Sequence, residues 1–198
     1  LGHKVTLVDK NPAVISSLEQ GKSPIYEYGM DVLLPKARRN ISFTTSYAGI
    51  DGSRVILIAV GTPSKENGDA DLGFLEDAVT QIAHSLSGTG YPVIVNKSTV
   101  PPGTASRMKT LVNNVLSGRG LSPGVNVASN PEFLREGSAF WDALYPDRIV
   151  VGAAEPSTRE LLTELYQPII EQNFTAPPSL PRPEGYNGPV LFTTNPLN

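Results

Sequence analysis

Short apolar runs rich in β-branched residues recur along the chain at 5–8, 41–45, 55–60, 93–95, 125–128 and 149–151. Each is bounded by polar residues or by Gly and Pro, the pattern of a strand buried on both faces. Between them, apolar positions return every three to four residues. Residues 12–20 begin with Pro12 after Asn11 and stop at Gly21. This predicts a helix, because proline suits the first helical turn and glycine the residue past the end. Leu75, Val79, Ile82, Ala83 and Leu86 share one face of a helix predicted over 72–86, and Met108, Leu111, Val112 and Val115 share one over 104–116. Residues 157–170 repeat the pattern, with Ser157 as N-cap, Glu160 as its capping-box partner and Pro168 expected to break or end the helix. Strands alternating with crossover helices specify an α/β fold, here a Rossmann-like, doubly wound, mostly parallel sheet.

The periodicity fades after Ile170, where "TAPPSLPRPEGYNGP" favours an extended path over a helix. The expected organisation is an α/β domain over 1–172 and an extended Pro/Gly-rich connector over 173–198. "PSLP" fits a proline-rich ligand pattern, but matches of that length are common by chance. The opening "LGHKVTLVD" runs almost directly into a strand from Leu1, so a preceding strand and turn are expected upstream, and "LFTTNPLN" stops without an element of its own.

Composition narrows the function. A net charge of -3 over 198 residues argues against a general nucleic-acid binder, which needs clustered Lys and Arg in surplus. The absence of cysteine removes disulfides, thiolate zinc sites and thiol nucleophiles from this segment and makes a reducing cytoplasm the natural setting. Apolar runs fall far short of the ~20 residues a membrane helix needs, and no signal peptide is visible.

Candidate chemistry gathers where predicted strands end. Asp9 closes the first run and has two readings: an acceptor for adenosine ribose hydroxyls in a dinucleotide fold, or a cap for the next helix. The third run leads into Gly61, which lets a backbone approach a ligand closely, and Thr62, a hydroxyl beside Pro63; Asp69 and Asp71 in the same loop read as caps of the following helix. The fourth delivers Lys97, Ser98 and Thr99 to the same sheet edge. The fifth leads into "SNPEFLREGSAFWDALYPDRIVVG", where Glu132 and Glu136 share a face if the stretch is helical. A carboxylate pair is often only a solvated helix face, but its place at a strand's carboxyl end favours function. His3 and His84 have no partners at metal or triad spacing, so no metal site is expected. Phe140 and Trp141 read as core residues.

The segments "PIYEYG", "FTTSYA", "IAVGTPSKENGDADL", "VNKSTVPPGT", "SNPEFLREGSA" and "YPDRIVVG" occur in the order seen in the UDP-glucose/GDP-mannose dehydrogenase family, which the chain resembles from Leu1 to about Tyr166. "NPEFLREG" is the most specific of them. "REGSA" and "PDRIVVG" resemble the UDP-glucose branch, and "GTPSKENGD" is also similar to the GDP-mannose branch. The resemblance implies NAD as cofactor and a two-step oxidation of a nucleotide sugar from C6 alcohol to carboxylate, through a thioester on a cysteine. UDP-glucose is the first-ranked substrate, GDP-mannose and UDP-N-acetylmannosamine are alternatives, and a homo-oligomer is the expected full-length assembly. It further implies that Asp9 contacts the adenosine ribose and that Val60, Gly61, Thr62, Pro63 and Lys65 line the cofactor with Ser98. Thr99 would lie near the nicotinamide and help hold the hydrolytic water, and Glu132 would act as general acid/base in thioester hydrolysis. Phe133, Leu134 and Arg135 would border the sugar nucleotide, with Glu136 near both ligands.

Several features depart from the family. Val14 stands where a cation is common, and Tyr28 where Pro is usual. The glycine loop, a central-helix Lys and Asn, and the cysteine are expected beyond the two ends. The 198 residues are therefore expected to be catalytically silent alone and to bind NAD weakly. A non-catalytic nucleotide-binding module is the alternative of another class. A dehydrogenase of the 6-phosphogluconate type shares the general fold but gives no reason for "NPEFLREG".

Overall fold

The computed structural model describes residues 2–195. In chain order its elements are β1 (Val5–Val8), α1 (Pro12–Glu19), α2 (Met30–Ala37), β2 (Ile41–Thr44), β3 (Val55–Ile58), α3 (Gly73–Ser85), β4 (Val93–Asn96), α4 (Thr104–Gly118), β5 (Val127–Ser129), α5 (Ala139–Leu144), β6 (Arg148–Ala153), α6 (Pro156–Ile170) and β7 (Val190–Thr194). Single 3-10 turns occupy Arg38–Asn40 and Tyr47–Ile50. The fold is α/β, Rossmann-like and rich in parallel pairs, with its strands in two sheets, β1-β2 and β3-β4-β5-β6-β7. Among the described residues no ladder joins β1 to β3. The chain divides into two units, one of Leu1–Gly49, Phe133–Arg148 and Leu165–Val190, the other of Ile50–Glu132, Ile149–Glu164 and Leu191–Asn198.

The second unit is organised on β4. Val93, Ile94, Val95 and Asn96 are all buried, because the strand has a ladder partner on each side. β3 pairs with it in parallel from Val55↔Val93 to Ile58↔Asn96, and β5 from Ile94↔Val127 to Asn96↔Ser129. α3 and α4 pack together. On α3, Leu75, Val79, Ile82 and Ala83 are buried as predicted, as is Leu86 just beyond. On α4 the buried line is Met108, Val112 and Leu116, with Leu111 and Val115 half-buried at its flank. Side chains of this size, fully removed from water, contribute on the order of 1.5–3 kcal/mol each.

The parallel rule stops at β5. β6 runs antiparallel to it, with Ala128↔Ala153 and Ser129↔Gly152 in register. The stretch between them forms only the six-residue α5. α6 also starts earlier than its capping pattern suggested. The Glu155 carbonyl accepts from Thr158 N and Arg159 N, so Ser157 lies within the first turn rather than at the cap. Pro168 is likewise inside α6, which ends two residues later.

In the first unit, β1 pairs in parallel with β2, Val5↔Ile41 through Val8↔Thr44. α1 has the predicted ends: Asn11 Oδ1 accepts from Ala13 N at 2.9 Å, and Gly21 follows with φ 76°. Residues 173–189 form no helix or strand but are fastened. The Tyr145 hydroxyl donates to Leu180 O at 2.8 Å, and the Tyr186 hydroxyl donates to Pro146 O at 2.6 Å. The Tyr145 ring meets Trp141 and Tyr186 edge-on. Trp141 and Phe140 are half-buried rather than core residues. Gln172 adopts φ 53°, a left-handed conformation unusual outside glycine. It is held there by its own amide, which donates to Ile169 O and Leu144 O at 2.8 and 3.1 Å. β7 follows beside β6, an element the composition of this stretch concealed.

Candidate functional site

Three adjacent strand ends form the polar edge of the second unit. Beyond β3, residues 63–71 fold into a small hairpin, with Ser64 bridged to Ala70 and Lys65 N donating to Asp69 O at 2.7 Å. Lys65, Gly61 and Pro63 are exposed on it. Asp71 Oδ1 accepts from Gly73 N at 3.0 Å just ahead of α3, while the N-cap position itself is Leu72, which has no side-chain cap bond. Asp69 instead accepts from the Asn67 side chain, so it caps the hairpin and not the helix.

The end of β4 is laced to the end of β3. The Ser98 hydroxyl donates to Val60 O at 2.6 Å, the Thr62 hydroxyl donates to Thr99 O at 2.9 Å, and Lys97 N donates to Ile58 O at 2.8 Å. A hydroxyl has one proton to give and two lone pairs. With those protons committed to the main chain, Ser98 and Thr62 offer a ligand acceptor oxygens. Asn96, only 2% exposed, closes the turn by accepting from Ser98 N and donating to Ser98 O.

The end of β5 is tied in by Asn130, also 2% exposed. Its N–H donates to Asn96 O on β4 at 2.8 Å and its side-chain amide to Val150 O on β6 at 2.8 Å. Its Oδ1 accepts from Lys97 Nζ at 3.0 Å. Burial pushes the Lys97 ammonium below the ordinary lysine range, opposed by the charge of Glu132. Thr62, Ser98, Thr99, Lys97 and Glu132 thus come together at neighbouring strand ends.

The division between the two units falls between Glu132 and Phe133. No helix forms over 131–137, so Glu132 and Glu136 do not share a helical face: Glu132 is half-buried and Glu136 exposed. Gly137 turns the chain at φ 83°. In the first unit, Phe133 and Leu134 are exposed, and the Arg148 guanidinium lies over the Phe133 ring at 4.5 Å. Arg135 is committed to Asp142 through a fork, with Nη2 at 2.7 Å from Oδ1 and Nε at 3.2 Å from Oδ2. That guanidinium holds the Asp142 carboxyl below its usual range, first through the side-chain hydrogen bond. Asp9 Oδ1 accepts from Asn11 N at 2.8 Å, while Asn11 is the true cap of α1.

Glu27 was not singled out by the sequence reading, yet it organises this region. It is 8% exposed, with Oε1 accepting from Gly137 N at 3.0 Å and Oε2 from Ala139 N at 2.9 Å. An acid between two tyrosines in "PIYEYG", far in sequence from its partners, gives no periodic signal. Among the described residues no group of three His, Asp or Glu side chains is placed to hold a metal, and no helix is long and apolar enough to cross a membrane.

Residues 1–170 match the UDP-glucose/GDP-mannose dehydrogenase family, NAD binding domain. The chain belongs to this family. It is 44% identical over 175 residues to a UDP-glucose 6-dehydrogenase of Rickettsia felis, covering 87% of the chain and 37% of the relative. It is 42% identical over 172 residues to one of Bacillus subtilis, covering 85% and 38%. A GDP-mannose dehydrogenase from Pseudomonas aeruginosa, solved as a ternary complex, superposes with a TM-score of 0.81 at 32% identity, over 98% of the chain and 41% of that structure. A UDP-glucose dehydrogenase from Pyrobaculum islandicum gives 0.78 at 33% identity, over 98% and 41%. The chain thus spans well under half the length of these family members.

The donor set fits part of the family's cofactor. The ribose hydroxyls of NAD need acceptors, and within the second unit the Thr62 and Ser98 oxygens are of that kind. The pyrophosphate needs a glycine-rich turn, and the 198 residues contain no G-x-G-x-x-G.

Proposed function

We propose that the protein carrying this chain oxidises the C6 alcohol of UDP-glucose to the carboxylate, with these residues forming part of its cofactor domain. The observation that carries the reading is the lacing of the β3, β4 and β5 ends through Ser98, Thr62 and Asn130. It gathers hydroxyls and a carboxylate at the carboxyl ends of parallel strands, where open α/β sheets take their ligands. Two NAD bound in succession would each take up one hydride from C6, which balances the four-electron oxidation of alcohol to carboxylate. Asp9 would hold the adenosine ribose, Val60 to Lys65 and Ser98 would line the cofactor, and Thr99 would orient the hydrolytic water. Glu132 would take a proton from that water, while Phe133, Leu134, Arg135 and Glu136 would border the sugar nucleotide. For Arg135 the reading requires that binding occur beside, or in exchange for, its fork with Asp142. GDP-mannose and UDP-N-acetylmannosamine are the competing substrates. Residues 1–172 would be the cofactor-binding part and 173–198 the link toward a further domain, in a cytoplasmic homo-oligomer.

The test is turnover of the full-length protein with NAD and each of the three nucleotide sugars, alongside Glu132→Gln. Loss of a general base costs about 10²–10⁴-fold in rate, and Glu132→Gln is expected to accumulate the covalent intermediate. Undiminished turnover would remove Glu132 from the mechanism. The isolated 198 residues are expected to give no NADH; steady production would overturn the assignment of these residues as a partial domain.

A further inference from the structure

Lys97 presents a physical problem that the assigned roles leave open. It places a largely buried ammonium against Asn130, with Nζ 3.0 Å from Oδ1 and 3.5 Å from the carbonyl of that residue. Both acceptors are neutral, and a cation withdrawn from water against neutral dipoles alone is costly. The compensating charge comes from Glu132, two residues beyond Asn130, whose carboxylate acts on the ammonium.

Position is fixed through bonds to β3, β4 and β6. Its own N–H is bonded to Ile58 O at the end of β3. The Asn130 that receives its ammonium is bonded on one side to Asn96 O of β4 and on the other to Val150 O of β6. Asn130 has little freedom to swing away, so the ammonium is an anchored charge and not a mobile surface lysine.

We propose that Lys97 is a positioning residue for the reaction, a cation moored on Asn130 that holds the Glu132 carboxylate in its working place. This rests on the role given to Glu132 above. The alternative is that Lys97 only knits β4 to β5 through Asn130. The two differ in what charge does. A knitting role needs a hydrogen-bond donor, whereas holding a carboxylate needs a positive charge. Burial eases deprotonation of Lys97 and the charge of Glu132 opposes it, so the carboxylate sustains the charge of the ammonium. Activity that depends on the ammonium is lost on the alkaline side at a lower pH than an ordinary surface lysine would set.

Two measurements test it. In the full-length enzyme, the lysine side-chain carbon resonances are followed by NMR through an alkaline titration, in wild type and in Glu132→Gln. The Lys97 transition is expected to move to lower pH in Glu132→Gln; an unmoved transition overturns the pairing, whatever Glu132 does in catalysis. In the full-length enzyme, Lys97→Gln keeps a donor for Asn130 without charge, and Lys97→Arg keeps the charge. Displacing a reacting group by about an ångström costs on the order of 10²-fold. A fall in kcat of that order is therefore expected for Lys97→Gln with KM little changed, and substantial recovery for Lys97→Arg. Equal activity of Lys97→Gln and wild type, in an enzyme that Glu132→Gln does disable, would sink this inference and leave the role of Glu132 standing. If Glu132→Gln proves fully active while the titration shift is seen, the pairing holds and it is the role of Glu132 that fails.

Discussion

Replacing Glu27 by Gln tests whether the clasp on the 137–139 backbone is held by charge or by shape. The carboxylate receives one N–H on each oxygen, from Gly137 and from Ala139, in a place only 8% exposed. A glutamine of the same shape has one acceptor oxygen, and its NH₂ must face the second backbone N–H. A hydrogen bond to a charged group contributes about 1.5–3 kcal/mol, and a buried donor left without a partner costs about 1–3 kcal/mol. Together these give a destabilisation of roughly 3 kcal/mol. In a chain of this size each kcal/mol moves Tm by about 2–4 °C, so a drop of roughly 6–12 °C is expected by circular dichroism. Hydrogen exchange supplies the local readout, since the Gly137 and Ala139 amides should lose protection before those of β4. A Tm within about 1 °C of wild type, with both amides still protected, would show that the clasp does not depend on charge.

Other perturbations probe different parts of the fold. A Cβ at Gly188 would stand 2.6 Å from Ile170 O, and the residue has φ 95°, so Gly188→Ala should cost about 1–3 kcal/mol in urea unfolding; an unchanged midpoint would mean that the end of α6 yields freely. Asp142 is held below its usual range by Arg135, so its contribution exists above the unfolded carboxyl value of about 3.9 and is lost as pH falls through the lower folded value. Asp142→Asn should therefore be less stable than wild type at pH 7 and converge with it in strong acid, and a stability gap constant across that range would contradict the assignment.

Much of the second unit was legible because its signals are local and redundant. β4 reads as a strand from its unbroken apolar run, and α3 and α4 read as helices from buried positions that keep helical spacing. Strand direction was less legible, since the β6 run looks the same in either sense, yet β6 lies antiparallel to β5. α2 escaped the pattern because Pro35 interrupts it, and β7 because prolines and glycines surround it. At the site, hydroxyls and carboxylates at strand ends were visible in the residue order. Their commitments were not: that Thr62 and Ser98 give their protons to carbonyls, or that Arg135 forks onto Asp142, depends on residues distant in sequence or on a loop without periodicity.

The fastened run at 173–189 changes where this polypeptide can be divided. The match to the family's NAD binding domain ends at residue 170, yet Leu180, 1% exposed, and the carbonyl that receives the Tyr145 hydroxyl both lie past that point. Trimming at the similarity limit would uncap an aromatic cluster and leave a buried phenol without its acceptor. For this protein the frontier drawn by the matched domain and the frontier drawn by cohesion differ by some twenty residues, and a protease digesting the native chain should respect the second.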